Sequence, residues 1–60
     1  MTPEYDLDIY SIDGRLIETW VAKSVDRLRA RFARAYRPGT AQPRLYRRDP
    51  RSGVREEVRG

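Results

Sequence analysis

The chain has 60 residues, of which 38% are hydrophobic and 37% are charged, and its formal net charge is +4. A chain of this length forms one small domain with a thin hydrophobic core. Because it contains no cysteine and no histidine, disulfides, thiolate metal sites and histidine-based catalysis are excluded. The sequence shows no apolar run near the ~20 residues of a membrane span and no signal peptide, so we expect a cytoplasmic protein.

The charges are distributed unevenly along the chain. Residues 1–20 carry five acidic residues and one basic residue, whereas residues 21–60 carry twelve basic and four acidic residues. Only one of the basic residues is a lysine, and the rest are arginines. A polarised, arginine-rich small domain is typical of a binding protein, and its basic side indicates a polyanion or an acidic protein surface as the partner.

The first two predicted elements are strands joined by a tight turn. Residues 4–12 begin with a strict alternation of apolar and acidic side chains, which is typical of a strand with one buried face. Asp13-Gly14 follows and is a strong hairpin signal, because both residues tolerate positive φ. Residues 15–22 are rich in β-branched and aromatic side chains, and we predict that they form the returning strand.

This hairpin can close in two registers, and each register buries a different face. A two-residue loop places Leu7 opposite Trp20 and Ile9 opposite Glu18, which buries Glu18 among apolar side chains. A three-residue loop at residues 12–14, with a bulge, gives a cleaner buried face. That face consists of Tyr5, Leu7, Ile9, Ile17 and Val21, and it leaves Tyr10, Leu16 and Trp20 together on the outside.

Electrostatics favours the three-residue loop. It sets Asp8 opposite Glu18 on the exposed face, and such a like-charge pair costs a fraction of 1 kcal/mol. Burial of an unpaired carboxylate, as the two-residue loop requires, costs several times more. We therefore predict the register with the three-residue loop, in which Trp20 is exposed.

Residues 25–37 are predicted to form a helix. Ser24 supplies an N-cap hydroxyl, and Pro38-Gly39 ends the helix. The apolar side chains form a single stripe that consists of Val25, Leu28, Phe32 and Tyr36. At 3.6 residues per turn, the opposite side of the helix carries Arg27, Arg31 and Arg34.

A second hairpin follows a linker at residues 40–43. Its predicted strands are residues 44–48 and 54–59, and the turn between them spans residues 49–53. The order ββαββ predicts an α+β fold for residues 1–60 as a single domain, in which one amphipathic helix packs on one face of a mostly antiparallel sheet. The predicted core consists of Leu7, Ile9, Ile17, Val21, Val25, Leu28, Phe32, Tyr36 and either Leu45 or Tyr46.

The first candidate site is basic. Arginines on the helix have the spacing of a stripe that contacts phosphates, and a solvated helix face explains the same pattern. Arginines around a tyrosine in the second hairpin suit a ribbon that enters a DNA groove, and a charged hairpin kept soluble by Arg–Glu pairs explains them equally. The candidate nucleic-acid-binding residues are Arg27, Arg31, Arg34, Arg44, Tyr46, Arg47, Arg48, Arg51 and Arg55.

The turn Tyr46–Gly53, with the sequence YRRDPRSG, resembles the hairpins of small sheet-type DNA-binding domains of phage integrases. In those domains a helix follows the sheet, whereas here the helix is predicted to precede this hairpin. The resemblance implies that the hairpin contacts DNA. It covers about eight residues of common turn chemistry.

The alternative function is a protein-interaction module of phage or mobile-element type. Its candidate surface is the outer sheet face with Tyr10, Leu16 and Trp20, or an exposed strand edge, either of which would dock on a larger or acidic partner. A homodimer is a further alternative. We expect no contact with a membrane and no small-molecule substrate.

Catalysis is not predicted. The carboxylates Asp6, Asp8 and Glu18 lack a phosphate-binding loop beside them, and we expect them to be a solvated strand face or partners for the domain's own arginines. No serine has a neighbouring base that could activate it. We therefore expect a binding protein that is not an enzyme and that holds neither a metal ion nor another cofactor.

Overall fold

A computed structural model of the chain describes residues 3–59. The elements in chain order are β1 (Glu4–Ser11), β2 (Leu16–Ala22), α1 (Val25–Ala35), β3 (Ala41–Arg48) and β4 (Arg55–Glu57). The four strands form one antiparallel sheet in the order β2-β1-β3-β4. Helix α1 packs on one face, here called the helix face, and the opposite one is the open face. The predicted α+β fold is confirmed.

Strand β1 lies at the centre of the sheet, between β2 and β3. Its alternating pattern directs Leu7 and Ile9 to the helix face and Asp6 and Asp8 to the open face. All four of these side chains are buried. The central position of β1 therefore follows from its apolar residues, whereas the burial of its acidic residues requires a separate explanation.

The core lies between α1 and the helix face. Ile9 is fully buried, and Leu28 is the one buried residue of α1. The buried apolar residues are Leu7, Ile9, Trp20, Leu28 and Leu45. Around them pack the half-buried side chains of Val25, Phe32 and Tyr36. The predicted apolar stripe of the helix is therefore confirmed as the surface that faces the sheet.

The predicted loop of the first hairpin is present. The Ser11 N–H donates to the Arg15 carbonyl at 2.7 Å, and the Gly14 N–H donates to the Ser11 carbonyl at 3.0 Å. Gly14 has a φ of 92°, in the left-handed region that favours glycine. These contacts define the three-residue loop at residues 12–14, and Tyr10 accordingly lies opposite Leu16.

The predicted register beyond this loop is wrong. The pairing shifts between Ile9 and Tyr10, so that Ile9 lies opposite Glu18 and Leu7 lies opposite Trp20. Ile17 is thus the extra residue of a bulge in β2. Because of this bulge, the residues beyond it pair in the register that was considered for the two-residue loop, although the loop itself has three residues.

The shift exchanges the residues on the two faces of β2. Trp20, predicted to be exposed, lies in the core with 7% of its surface accessible. Ile17 and Val21, predicted to be buried, are 48% and 53% exposed. The carboxylate of Glu18 is nevertheless exposed, and both of its oxygens accept hydrogen bonds. The large cost of burying an unpaired carboxylate therefore does not arise in this register.

Helix α1 begins as predicted and ends earlier than predicted. The side chain of Ser24 accepts a hydrogen bond from the Arg27 N–H at 3.4 Å, which is the expected N-cap. The helix ends at Ala35 rather than at residue 37, because Tyr36 is extended, with φ −128° and ψ 135°. The Tyr36 N–H still donates to the Phe32 carbonyl at 2.9 Å.

The second hairpin also differs from its predicted bounds. Strand β3 begins at Ala41 and therefore includes three of the four residues of the predicted linker, among them Pro43. Strand β4 pairs only with Tyr46–Arg48, so the outer side of β3 is open at Pro43, where the missing N–H of a proline is tolerated. Strand β4 has three residues rather than the predicted six, and Val54 lies outside it and is exposed.

The core assignment predicts that Leu28→Ala is much more destabilising than Val54→Ala. Large-to-small changes at buried sites cost about 2–5 kcal/mol, which is close to the whole free energy of unfolding expected of so small a domain. Surface changes such as Val54→Ala stay within about 0.5 kcal/mol. Thermal melting followed by circular dichroism compares the two variants. Equal melting temperatures would contradict this core.

Candidate functional site

The open face carries a network of carboxylates and arginines. Asp6 and Asp8 are only 4% and 5% exposed, although no helix covers this face within residues 3–59. Arg55 on β4 contacts both, with its Nε 3.3 Å from Asp6 Oδ2 and its Nη2 2.8 Å from Asp8 Oδ2. The arginine therefore compensates the Oδ2 atoms of two carboxylates that the sheet removes from water, whereas Asp6 Oδ1 is buried without a hydrogen-bond partner.

Three further residues extend these contacts. Arg48 on β3 lies 2.5 Å from Glu4 Oε2 and 3.5 Å from Asp6 Oδ2. On the other side of β1, the Thr19 hydroxyl donates to Asp8 Oδ1 at 3.0 Å. The contact with Asp8 raises the pKa of Arg55 above its ordinary value. We call Glu4, Asp6, Asp8, Arg48 and Arg55 the open-face network.

This network bears on two predicted sites. Asp6 and Asp8 are partners for the domain's own arginines, which was one of the two expectations for the acidic residues. Glu18, predicted to lie with them, is on the helix face instead. Arg48 and Arg55, two of the candidate nucleic-acid contacts, have their guanidinium groups bound to carboxylates of β1.

The remaining candidate residues of the hairpin do not share one surface. Arg44 lies over the ring of Tyr10 at 5.7 Å, and Tyr46 lies beneath Arg55 at 4.1 Å, both on the open face. Arg47 lies on the opposite face and pairs with Glu56 at 3.1 Å. Arg51 is exposed in the turn. The hairpin therefore presents its basic groups in three directions.

The helix arginines, by contrast, come together. Arg27, Arg31 and Arg34 line a groove of about 440 Å³ between α1 and β2. The other residues that line it are small or apolar, and they are Val21, Ala22, Leu28 and Ala30. We call this feature the arginine groove. It joins a basic wall to an apolar floor at the edge of the sheet.

Most of the charge in this groove is not neutralised by the protein. Within residues 3–59, no carboxylate oxygen lies within 4.0 Å of a guanidinium nitrogen of Arg27 or Arg34. The guanidinium of Arg31 lies over the ring of Trp20, with its carbon 4.2 Å from the centroid. This stacking orients Arg31, whose charge also acts on the nearby carboxylate of Glu18.

Glu18 connects the groove to the core. Glu18 Oε2 accepts from the Tyr36 hydroxyl at 2.6 Å, and Oε1 accepts from Trp20 Nε1 at 2.5 Å. These two hydrogen bonds, together with the charge of Arg31, hold the pKa of Glu18 below its ordinary value of 4.5. The same contact raises the pKa of Tyr36, since its ionised form cannot donate to Glu18.

The candidate protein-interaction surface is also rearranged. Tyr10 and Leu16 lie opposite each other, whereas Trp20 is on the other face and in the core. The exposed large apolar side chains of the first hairpin are Ile12, Leu16, Ile17 and Val21. Ile17 and Val21 could not be recognised as surface residues from the sequence, because their exposure depends on the bulge in β2.

The described residues 3–59 hold no group of three or more His, Cys, Asp or Glu side chains that is arranged to bind a metal ion. Helix α1, with 11 residues, is neither long nor apolar enough to cross a membrane. No protein-family profile, curated protein or solved structure matches the chain.

The hydrogen bonds of Glu18 predict a specific pH dependence. A carboxyl group whose pKa is lowered by folding stabilises the fold above its ordinary pKa, and this contribution disappears as the pH falls through the folded-state pKa. The melting temperature of the wild type should therefore exceed that of Glu18→Gln at pH 7. The difference should vanish on acidification well below pH 4.5. A difference that stays constant with pH would contradict the assignment.

The open-face network predicts that Arg55→Gln destabilises the protein and that Arg51→Gln does not. Removal of one partner from a fully buried ion pair costs about 3–5 kcal/mol. Because the Arg55 side chain is 39% exposed, we expect a smaller loss of roughly 1–3 kcal/mol. Urea denaturation measures the free energy of unfolding of both variants. Equal stability would show that solvent alone satisfies Asp6 and Asp8.

Proposed function

We propose that this chain is a non-enzymatic binding module, that its ligand is an anionic chain, and that it binds this ligand in the arginine groove. The observation that carries the proposal is the contrast between two sets of arginines. Arg48 and Arg55 are bound to carboxylates of β1, whereas Arg27 and Arg34 lie at the groove without such partners. Within residues 3–59, eight basic side chains have no carboxylate oxygen within 4.0 Å, and four of these eight lie on α1, more than on any other element.

The chemistry of the groove suits an anionic polymer. A guanidinium group donates several hydrogen bonds in a planar fork, and it binds phosphates and carboxylates equally well. Like charges at spacings of three and four residues cost a helix roughly 0.2–0.5 kcal/mol per pair, and a bound anion would remove this repulsion. The shared chemistry covers both predicted partner classes, nucleic acid and an acidic protein.

A pair of charge-reversal variants tests the proposal. Arg27→Glu/Arg34→Glu alters the groove, and Arg51→Glu/Arg59→Glu alters exposed arginines at the far hairpin and the C-terminal end. Both double variants lower the net charge from +4 to zero, so general electrostatic attraction changes equally. Fluorescence anisotropy with labelled single-stranded DNA, duplex DNA and polyglutamate, at about 50 and about 150 mM salt, reports binding.

We expect the groove variant to lose about tenfold or more in affinity for at least one probe, while the hairpin variant stays within about twofold to threefold of the wild type. If duplex DNA is the ligand, log affinity should fall with log salt at about −0.9 per phosphate contacted, and the groove variant should flatten this slope. A larger loss in the hairpin variant would place the site on the second hairpin. Equal losses, or no binding to any probe, would also refute the proposal.

A further inference from the structure

We propose that the anionic chain is an extended acidic segment of a partner protein, which pairs with the outer edge of β2 and becomes a fifth strand of the sheet. This inference rests on the proposed function and adds the class of partner and the mode of binding. It requires a free strand edge, a matching set of side chains on each side of that edge, and a reason to prefer this partner over others.

The outer edge of β2 is free. Strand β2 is the last strand of the sheet and has seven residues, and nothing within residues 3–59 pairs with its outer side. A row of unpaired backbone N–H and C=O groups is a template for another strand. Proteins commonly protect such edges with lysine, proline, a short strand or a β-bulge. Leu16–Ala22 contains no lysine or proline, and its bulge at Ile17 lies near its start, so Glu18–Ala22 is the regular part of the free edge.

The opposite side of the sheet is protected. Its outermost strand, β4, has only three residues, and Pro43 interrupts the donors of β3 where β4 does not cover it. The two edges of one small sheet are therefore treated differently. The β2 edge is therefore the edge of this sheet that has room and free backbone groups for another strand.

The two sides of the free edge define the partner's side chains. On the helix face, a strand beside β2 would lie against the arginine groove, with Arg27, Arg31 and Arg34. Glu18 lies on the same face, but its carboxylate is already bound by Tyr36 and Trp20, and the three arginines outnumber it. On the open face, it would lie beside Val21, which is opposite Asp6 and half exposed. Because successive side chains of a strand point to opposite faces, the matching segment alternates acidic with apolar residues.

The same chemistry already operates inside the sheet. Strand β1 alternates acidic and apolar residues, and its carboxylates are held by Arg48 of the adjacent strand β3 and by Arg55 of the more distant strand β4. A partner strand at β2 would use the same combination of backbone pairing, apolar contacts and Arg–carboxylate pairs. The one change is that its acidic side chains would face α1.

Other occupants fit this edge less well. Antiparallel pairing of two copies of β2 would keep both helices on the same face of the joined sheet, so the two sets of Arg27, Arg31 and Arg34 would approach each other. A nucleic acid could contact these arginines, but its phosphate backbone has no amide groups to pair with the strand edge. It would also leave Val21 exposed.

The test uses labelled nine-residue peptides and the full chain. One peptide alternates glutamate and valine, and a matched control has the same composition with all glutamates before all valines. Two further versions of the alternating peptide carry N-methyl groups on its odd-numbered or its even-numbered residues. An extended segment directs alternate N–H groups to opposite edges, so only one of these two sets faces β2.

Strand addition predicts that the alternating peptide binds about tenfold more tightly than its matched control, and that one N-methyl set abolishes binding while the other does not. Val21→Ser should weaken binding, whereas Val54→Ser, the same change at a comparably exposed site, should not. Amide hydrogen exchange within residues 16–22 should slow when the peptide is bound.

Each other result overturns the inference. Equal affinity for the alternating and control peptides, or equal effects of the two N-methyl sets, would show that charge alone attracts the peptide. Binding of oligonucleotides, but not of peptides, that depends on Arg27 and Arg34 would refute strand addition and leave the proposed function intact. Self-association in analytical ultracentrifugation that the alternating peptide does not reverse would assign the edge to a second copy of the chain.

Discussion

The burial of two carboxylates on the open face of β1 is the constraint on which the rest of the structure depends. Asp6 and Asp8 lie at the centre of the sheet, on the face opposite α1, and both are buried from solvent. Burial of either carboxylate without a partner would cost several kcal/mol of folding free energy. Arg55 and Arg48 provide the compensation from two different strands. The backbone of β4 pairs with only three residues of β3. The contacts of Arg55 with Asp6 and Asp8 therefore help to hold this short strand in the sheet.

The same constraint divides the arginines of the chain into two sets. Arg48 and Arg55 of the second hairpin neutralise carboxylates of β1, so part of the charge separation along the sequence disappears in three dimensions. Arginines of α1 have no such role, because the helix face beneath them is apolar except for Glu18 at its rim. The uneven charge of the sequence therefore indicated a binding protein, while it gave no information about which arginines remain available.

Local features of the fold could be predicted from the sequence, because each depends on neighbouring residues. Ser24 caps the helix, and Gly14 shapes the three-residue loop. The register of β2 could not be predicted, since it depends on a bulge at Ile17 and on Tyr36, which lies 18 residues beyond Glu18 and donates a hydrogen bond to it. Without that distant donor, the register with Glu18 opposite Ile9 implied a buried, unpaired carboxylate. The other register was therefore favoured, and Trp20 was predicted to be exposed.

The arrangement around Trp20 connects the candidate site to the stability of the domain. The indole ring packs in the core, donates to Glu18 and lies beneath the guanidinium of Arg31, so one side chain contacts both the core and the arginine groove. A ligand that attracts Arg31 would change the charge over the ring and compete with Glu18 for the same arginine. The groove is thus part of the packing that holds α1 on the sheet, and a bound anionic strand would stabilise the fold by the same interactions that recognise it.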